Sequence, residues 1–130
     1  MPAFRAVPGL RVVADPAAID DAIWTTELDT PAPVHHIAPD EAFSPGSTSV
    51  VLDDEHAIVV EEHGIVTTQC RIADILPHVD WTLPIERPTF TQGAVAGVPA
   101  KLWLLDDTFV VLYTSEAYAR ELAARLGWLR

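Results

Sequence analysis

Short runs of apolar and β-branched residues, each bounded by turn residues, recur along this chain. A run of this kind favours a β-strand, because β-branched side chains pack well on a pleated surface. In the first 71 residues we predict strands at 10–14, 48–52, 56–61 and 65–71. The last three strands follow one another closely, through Asp53-Asp54-Glu55 and Glu62-His63-Gly64, and predict an antiparallel meander with Gly64 at a positive φ.

The C-terminal third contains the clearest pattern. An extended stretch at 90–95 precedes a hairpin that pairs 100–105 with 109–114 around Asp106-Asp107-Thr108. Ser115 then suits the N-cap of a helix, and Gly127 suits the residue just beyond its end. Tyr118, Leu122 and Leu126 recur at every fourth position, so we predict that this helix packs one apolar face on the sheet.

Two shorter helices are predicted upstream. Asp15 and Pro16 favour a helix start, and Ile19, Ala22 and Ile23 would share one face of that helix. The segment 71–76 predicts one or two helical turns that end at Pro77.

Two proline-rich segments separate these elements. Residues 28–48 and 77–89 read as long loops, the first with a brief extended piece at 34–37. The resulting order of strands and helices predicts an α+β fold with a mostly antiparallel sheet and three helices. At 130 residues and 49% hydrophobic residues, we expect residues 1–130 to form a single domain.

Cysteine usage and the N-terminal segment bear on the cellular compartment. The single Cys70 excludes an internal disulfide and argues against a secreted scaffold. No apolar run reaches the length of a membrane span, and the first residues lack a signal-peptide pattern. We therefore expect a cytoplasmic protein.

The charge is distributed unevenly. The net charge is −11, and twelve carboxylates without one Lys or Arg lie between Arg11 and Arg71. Such a surface would repel nucleic acids and anionic membranes but would attract a basic protein partner. An acidic surface that serves solubility alone is the alternative.

Acidic residues also cluster at the two predicted turns of the meander. We select Asp53, Asp54, Glu55, Glu61 and Glu62 as a candidate partner-binding surface. The two turns lie at opposite ends of one strand, roughly 17 Å apart at about 3.3 Å per residue, so they cannot form one compact site. Solvated turn residues are the alternative interpretation.

The pair His35-His36, followed by Asp40 and Glu41, has the residue types that bind zinc or iron. Adjacent histidines on a strand would point to opposite faces, whereas on a loop they could converge. Without a recognised ligand spacing, we interpret them as surface histidines.

Three further residues are weaker candidates for chemistry. A nucleophilic Cys70 would need a base and a lowered pKa, and its neighbours identify no base, so we interpret it as inert packing. Arg87 and Lys101 could hold a substrate carboxylate, but exposed structural cations are the more common case. The sequence therefore predicts no catalytic residue.

A family resemblance supplies a more specific hypothesis. The stretches IVTTQCRIADILPHVDWTLP (65–84) and FTQGAVAGVPAKLWLLDDTFVVLYTSEAYARELAARL (90–126) resemble the gamma subunit of heterotetrameric sarcosine oxidase. They are more distantly similar to the glycine-cleavage T protein, an aminomethyltransferase. The shared pattern comprises a D-x-F turn and an S-x-x-Y-x-x-x-L helix, here formed by Asp107 to Phe109 and by Ser115, Tyr118 and Leu122.

The resemblance covers about the last 60 residues and concerns element order and apolar positions. It implies a non-catalytic small subunit or accessory domain of a flavin- and folate-linked amine oxidase. The folate-contacting Asp region of the T protein has no counterpart here. Folate or flavin would therefore reach this chain only through a larger oxidase subunit.

A stand-alone acidic module that binds a basic protein partner, as an interaction or regulatory protein, is the second hypothesis. Neither hypothesis sets the oligomeric state, and a homo-oligomer is compatible with both.

We predict that the purified chain carries no stoichiometric metal, because its His and acidic residues lie on separate predicted turns and a loop. Elemental analysis of metal-free preparations and of zinc- or iron-supplemented preparations is the measurement. About one metal ion per chain that survives dialysis would contradict the prediction.

Overall fold

β-Strands form most of the regular structure in the computed structural model, which describes residues 2–129. The three helices of this part of the chain are α1 at Pro16–Asp20, α2 at Ile72–Ile75 and α3 at Glu116–Arg125, and a 3₁₀ turn spans Leu76–His78. In chain order the strands are β1 Arg5–Ala6, β2 Gly9–Val13, β3 Ile23–Thr26, β4 His35–Ala38, β5 Glu41–Pro45, β6 Ser47–Val51, β7 Ile58–Glu62, β8 Ile65–Arg71, β9 Thr89–Val95, β10 Val98–Leu104 and β11 Phe109–Ser115. All their pairings are antiparallel. The α+β class with three helices is therefore confirmed.

The chain divides into two compact units. One is continuous, Val7–His63, and we call it the acidic unit. The other joins residues 1–6 to residues 64–130, and we call it the sheet–helix unit. The expectation that both belong to one folding domain stays a prediction.

The acidic unit contains a four-stranded sheet in the order β4-β5-β2-β7 and a two-stranded ribbon of β3 and β6. Its main apolar cluster is small and consists of Val12, Ala14, Ile19 and Ala42, with Trp24 and Val50 packed against them. Gly9 is required where β2 passes β5. A methyl group at Gly9 would lie only 2.4 Å from the carbonyl oxygen of Ser44.

The predicted loop at 28–48 is wrong in part, because β5 and the start of β6 lie within it, whereas the extended piece predicted at 34–37 corresponds to β4 at His35–Ala38. Two features hid these strands. Pro45 ends β5, a position where a missing N–H is tolerated, and Gly46 then turns the chain with φ +87. The pairing of β5 with β2 is a non-local contact that no turn signal announces, whereas β4 and β5 form a local hairpin around Pro39 and Asp40.

The first helix is also shorter than predicted. Helix α1 ends at Asp20, and Ile23 begins β3, where its side chain is exposed. Ile19 is buried as expected. The apolar residues keep a helical spacing beyond the end of α1 by coincidence, although the chain there already forms a strand.

The sheet–helix unit is built on a five-stranded sheet in the order β1-β8-β11-β10-β9. The predicted hairpin is confirmed, with Leu104 opposite Val110 and Lys101 opposite Tyr113. At its turn, the Asp106 carboxylate accepts hydrogen bonds from the amides of Thr108 and Phe109 at 2.8 and 2.7 Å. These bonds satisfy the backbone of the acidic turn without a ligand.

The predicted meander of residues 48–71 is wrong in its pairing. Strand β6 pairs with β3, β7 pairs with β2, and β8 lies between β1 and β11. Both edges of β8 are thus already paired, so it cannot accept β7. Gly64 accordingly lacks the positive φ of a hairpin glycine. The meander of this fold is instead β9-β10-β11, whose first turn is made by Ala96 and Gly97, both at positive φ.

The loop at 77–89 covers β9. The Trp81 indole donates a hydrogen bond to Thr91 Oγ1 at 3.0 Å. Gly93 leaves room for this ring, since a methyl group there would lie 2.6 Å from Trp81. The second proline-rich segment is thus a packed connection, and after the 3₁₀ turn it contains no further helix or strand before β9.

Helix α3 packs on the sheet as predicted. Ser115 caps its start by accepting a hydrogen bond from the Ala117 amide, and Gly127 follows its end with φ +76. Leu122 is fully buried in the same core as Leu102, Leu112 and Ile75. Tyr118 is 43% exposed, so the buried stripe of the helix is narrower than the four-residue spacing predicts.

We predict that Leu122→Ala destabilises the protein by about 2–4 kcal/mol, because it truncates a fully buried side chain and leaves a cavity. Thermal or denaturant unfolding is the measurement. Ile85→Ala is the matched control, since Ile85 is almost fully exposed and its truncation should change stability by less than about 0.5 kcal/mol.

If the two units form one cooperative domain, Leu122→Ala should move a single calorimetric transition as a whole. Movement of only one of two resolved transitions would show that the units unfold separately. An unchanged melting profile would instead contradict the packing of α3.

Candidate functional site

The charge imbalance of the protein lies entirely in the acidic unit. Its twelve carboxylates are opposed by Arg11 as its one Lys or Arg, whereas the sheet–helix unit has seven carboxylates and seven basic residues. With neutral histidines, the acidic unit therefore carries the whole net charge of −11. The charge asymmetry read from the sequence coincides with a structural division.

The residues selected from the sequence form what we call the acidic surface, namely Asp53, Asp54, Glu55, Glu61 and Glu62. The first three lie in the loop between β6 and β7, and the last two end β7. Strand β7 separates the two groups, so the acidic surface is an extended feature rather than a compact ligand site. Its role in partner binding stays a prediction.

Asp54 differs from the other members because it organises the loop. Its Oδ2 accepts a hydrogen bond from the Asp15 amide at 2.8 Å, and its Oδ1 accepts one from the His56 amide at 2.9 Å. These two backbone hydrogen bonds, that from Asp15 first, lower the pKa of the Asp54 carboxyl. Asp54 therefore connects the loop to the start of α1, and replacing it would change structure as well as charge.

The other acidic side chains have weaker or no such ties. Glu62 lies 3.8 Å from the guanidinium of Arg11 on the neighbouring strand. Glu61 and His63 are 3.3 Å apart, and Glu55 and His56 are 3.4 Å apart, with all four side chains largely exposed. Exposed pairs of this kind contribute little to stability. The carboxylates of Glu55 and Glu61 are accessible to a partner, whereas the Glu62 side chain is only 24% exposed.

The histidine pair does not converge. His35 and His36 occupy successive positions of β4, so His35 is buried, at 3% exposure, while His36 is exposed. The interpretation of both as surface histidines is therefore wrong for His35. Burial, together with the charge of His36, lowers the pKa of His35 to about 4. Asp40 lies in the turn after β4 and Glu41 begins β5.

No group of three or more His, Cys, Asp or Glu residues within 2–129 is arranged to hold a metal ion. The absence of a metal from the purified protein stays a prediction.

Cys70 is buried on β8, opposite Val110. Burial, and secondarily the charge of Asp74, raises the pKa of its thiol to about 11. A thiol with this pKa is almost entirely protonated at neutral pH and is a poor nucleophile. The structure thus supports the packing role expected for Cys70.

The two candidate cations have different surroundings. Arg87 donates hydrogen bonds to the backbone carbonyl oxygens of Pro84, Glu86 and Asp106, which gives it a structural role. Lys101 lies at a cavity of about 190 Å³ in the sheet–helix unit, beside Tyr113 and Tyr118. Burial raises the pKa of Tyr113, so its hydroxyl stays protonated.

A feature that the sequence analysis missed lies between the two halves of the acidic surface. Ile58, Val59 and Val60 of β7 are exposed by 58%, 47% and 39%. A strand packed on one face would alternate apolar and polar residues, whereas this segment is continuously apolar and then doubly acidic. This break in the alternation of apolar and polar residues was the sequence signal from which the exposed segment could have been predicted.

No family model matches the sequence, and no curated protein sequence matches it. Among solved structures, one chain of the heterotetrameric sarcosine oxidase from Corynebacterium sp. U-96, in complex with pyrrole 2-carboxylate, is similar with a TM-score of 0.71. The match covers 96% of this chain and 81% of that chain at 12% sequence identity.

The chain shares the fold of a sarcosine oxidase subunit. At 12% identity the likeness shows the fold alone, and it confirms the family resemblance read from the sequence at that level. The sequence pattern covered about the last 60 residues, whereas the structural match includes the acidic unit as well. Within residues 2–129, no helix is long and apolar enough to cross a membrane.

We predict that folding stability falls as the pH is lowered from about 6.5 to about 4, because the unfolded chain then binds a proton that buried His35 does not. The loss should be on the order of 3 kcal/mol across this window. Denaturant unfolding at several pH values measures it, and NMR titration of the His35 ring checks its cause.

In His35→Leu, the part of the pH dependence within this window should shrink. His56→Gln is the control, because the His56 side chain is largely exposed. Protonation of His35 near pH 6.5 in the folded protein would contradict the assignment.

Proposed function

We propose that this chain is a non-catalytic accessory subunit of a multisubunit amine oxidase, related in role to a subunit of heterotetrameric sarcosine oxidase. The observation that carries the proposal is the fold likeness over 96% of the chain to one chain of that assembly. A likeness over almost the whole chain favours a similar place in a complex more than a shared motif would.

The side-chain environments support the non-catalytic part of the proposal. The two residues most suited to chemistry, His35 and Cys70, are both buried. The pKa of His35 lies near 4 and that of Cys70 near 11, so neither is poised for acid–base or nucleophilic catalysis at neutral pH. In this proposal the flavin, the folate and the oxidation of the amine belong to a larger partner subunit.

A second candidate function is supported by the charge distribution. The acidic unit holds the whole net charge of −11, which favours electrostatic attraction of a basic protein. A stand-alone interaction or regulatory module would use this attraction to accelerate association, whereas an obligate subunit would depend on a large apolar interface.

We predict that the tagged chain, expressed in its native cells, co-purifies in fixed stoichiometry with a flavin-containing oxidase chain. The isolated complex should oxidise sarcosine or a related secondary amine, and the chain alone should not. Peptide mass analysis, flavin absorbance and oxygen consumption are the measurements. Recovery of the chain without any flavoprotein, or amine oxidation by the chain alone, would overturn the proposal.

The same complex separates the two candidates by its response to salt. The Debye length falls from about 10 Å at 0.1 M to about 3 Å at 1 M salt, which slows electrostatically steered association. Asp53→Asn combined with Glu55→Gln should mimic high salt while leaving the Asp54 hydrogen bonds intact. A complex insensitive to both changes favours the obligate subunit, and a slowed on-rate favours the acidic module.

A further inference from the structure

Strand β7 is the last strand of its sheet. It pairs with β2 along one edge, through the register Arg11 opposite Val60 and Val12 opposite Val59. In the described part of the chain, no other strand pairs with its second edge. An edge strand of this kind presents backbone donors and acceptors that can pair with another chain.

The side chains of β7 are unusual for a solvent-facing edge. Ile58, Val59 and Val60 are successive β-branched residues, and because successive side chains alternate between faces, both faces of the strand are apolar and exposed. Natural edge strands are usually blunted by charge, proline or a bulge within the strand. The middle of β7 carries none of these.

The charges lie at the two ends of β7 instead. Residues 53–62 contain the five carboxylates of the acidic surface and no Lys or Arg. Arg11 lies 3.8 Å from Glu62. A strand that pairs with β7 would therefore place its own ends beside concentrated negative charge.

A second copy of this chain fits this edge poorly. Antiparallel pairing of two β7 strands would bring residues 53–55 of one copy beside Glu61 and Glu62 of the other. Like charges placed opposite one another across a strand pair are destabilising. The same arrangement favours a segment whose ends carry Lys or Arg.

We propose that the free edge of β7 binds an extended segment of a protein partner by strand addition. The segment has β-branched or other apolar residues at its centre and Lys or Arg at its ends. Main-chain hydrogen bonds would provide affinity, and the flanking charges would select the partner and its register. This inference rests on the proposed function as a protein-binding subunit and specifies how one contact is made.

The probe is a synthetic peptide, Lys-Lys-Val-Thr-Val-Thr-Val-Lys-Lys, titrated to about 1 mM into the isotopically labelled full chain. Amide shifts and slowed hydrogen exchange are expected at residues 58–62 and along β2. A control peptide with Glu in place of every Lys should bind at least about tenfold more weakly, and 1 M salt should weaken the basic peptide similarly. Equal binding of the two peptides, or shifts confined to other strands, would overturn the proposal.

Variants of the chain locate the contact. Successive residues of an antiparallel strand direct their N–H groups to opposite edges, so one of Val59→Pro and Val60→Pro removes a bond to β2 and the other removes an outward donor. The variant that melts closer to the parent identifies the outward position, and it should abolish peptide binding. A stable variant that retains full affinity would overturn strand addition.

Asp53→Asn, Glu55→Gln and Glu61→Gln together provide a variant without backbone change, and affinity for the basic peptide should fall at least about threefold. Concentration-dependent shifts of residues 58–62 in the absence of peptide would show pairing of two copies and would overturn the choice of occupant.

The peptide result does not depend on an oxidase. Peptide binding without a flavoprotein complex would refute the proposed function alone, and a flavoprotein complex without peptide binding would refute strand addition alone.

Discussion

The antiparallel pairing of β1 with β8 is the constraint on which the chain's organisation depends. Arg5 lies opposite Thr67 and Ala6 opposite Val66, so the two residues of β1 are held beside the strand that begins after residue 64. Everything between these strands, residues 7–64, is thereby a closed insertion whose two ends are held together by one sheet, and it contains the whole acidic unit. Closing a loop of this length costs entropy that grows only slowly with its length, and an insertion with its own core offsets part of that cost. The acidic unit has such a core around Val12, Ile19 and Ala42.

The two units use their side chains for different purposes. The sheet–helix unit concentrates large apolar residues such as Leu102, Leu112 and Leu122 in one core and has balanced charge. The acidic unit combines a smaller core with a net charge of −11, and mutual repulsion of its carboxylates opposes its compact state. A partner that neutralises this charge would stabilise the folded unit by binding to it. The exposed apolar strand β7, flanked by carboxylates, is where charge and apolar surface occur together.

Burial explains why the residues that suggest chemistry are poor candidates for it. His35 lies on β4 of the four-stranded sheet and Cys70 on β8 of the five-stranded sheet. Each is buried by its own sheet, which lowers the pKa of the imidazole and raises that of the thiol. A fold that is shared at 12% identity preserves the paths of strands and helices while most side chains differ. The fold determines where each surface lies but not which side chains cover it. The function of such a chain is therefore expected to depend on its surface residues.

Elements that depend on residues close together in the sequence could be predicted from local sequence patterns alone. The β10–β11 hairpin, the Ser115 cap and the Gly127 terminus each depend on a few neighbouring side chains, and the sequence predicted all three. The acidic character of residues 12–70 likewise followed from the number of charged residues in the sequence. Strand partners could not be found in this way, because β2 pairs with β5 and β7, and β8 with β1 and β11, across long separations in the chain. Since burial follows from those pairings, the sequence did not reveal that His35 is enclosed, that β5 lies inside a proline-rich segment, or that β7 exposes three apolar residues at a free edge. Hydrogen bonds between strands that are distant in the sequence determine which side chains face water. The exposure of each side chain is therefore set only when the whole sheet assembles.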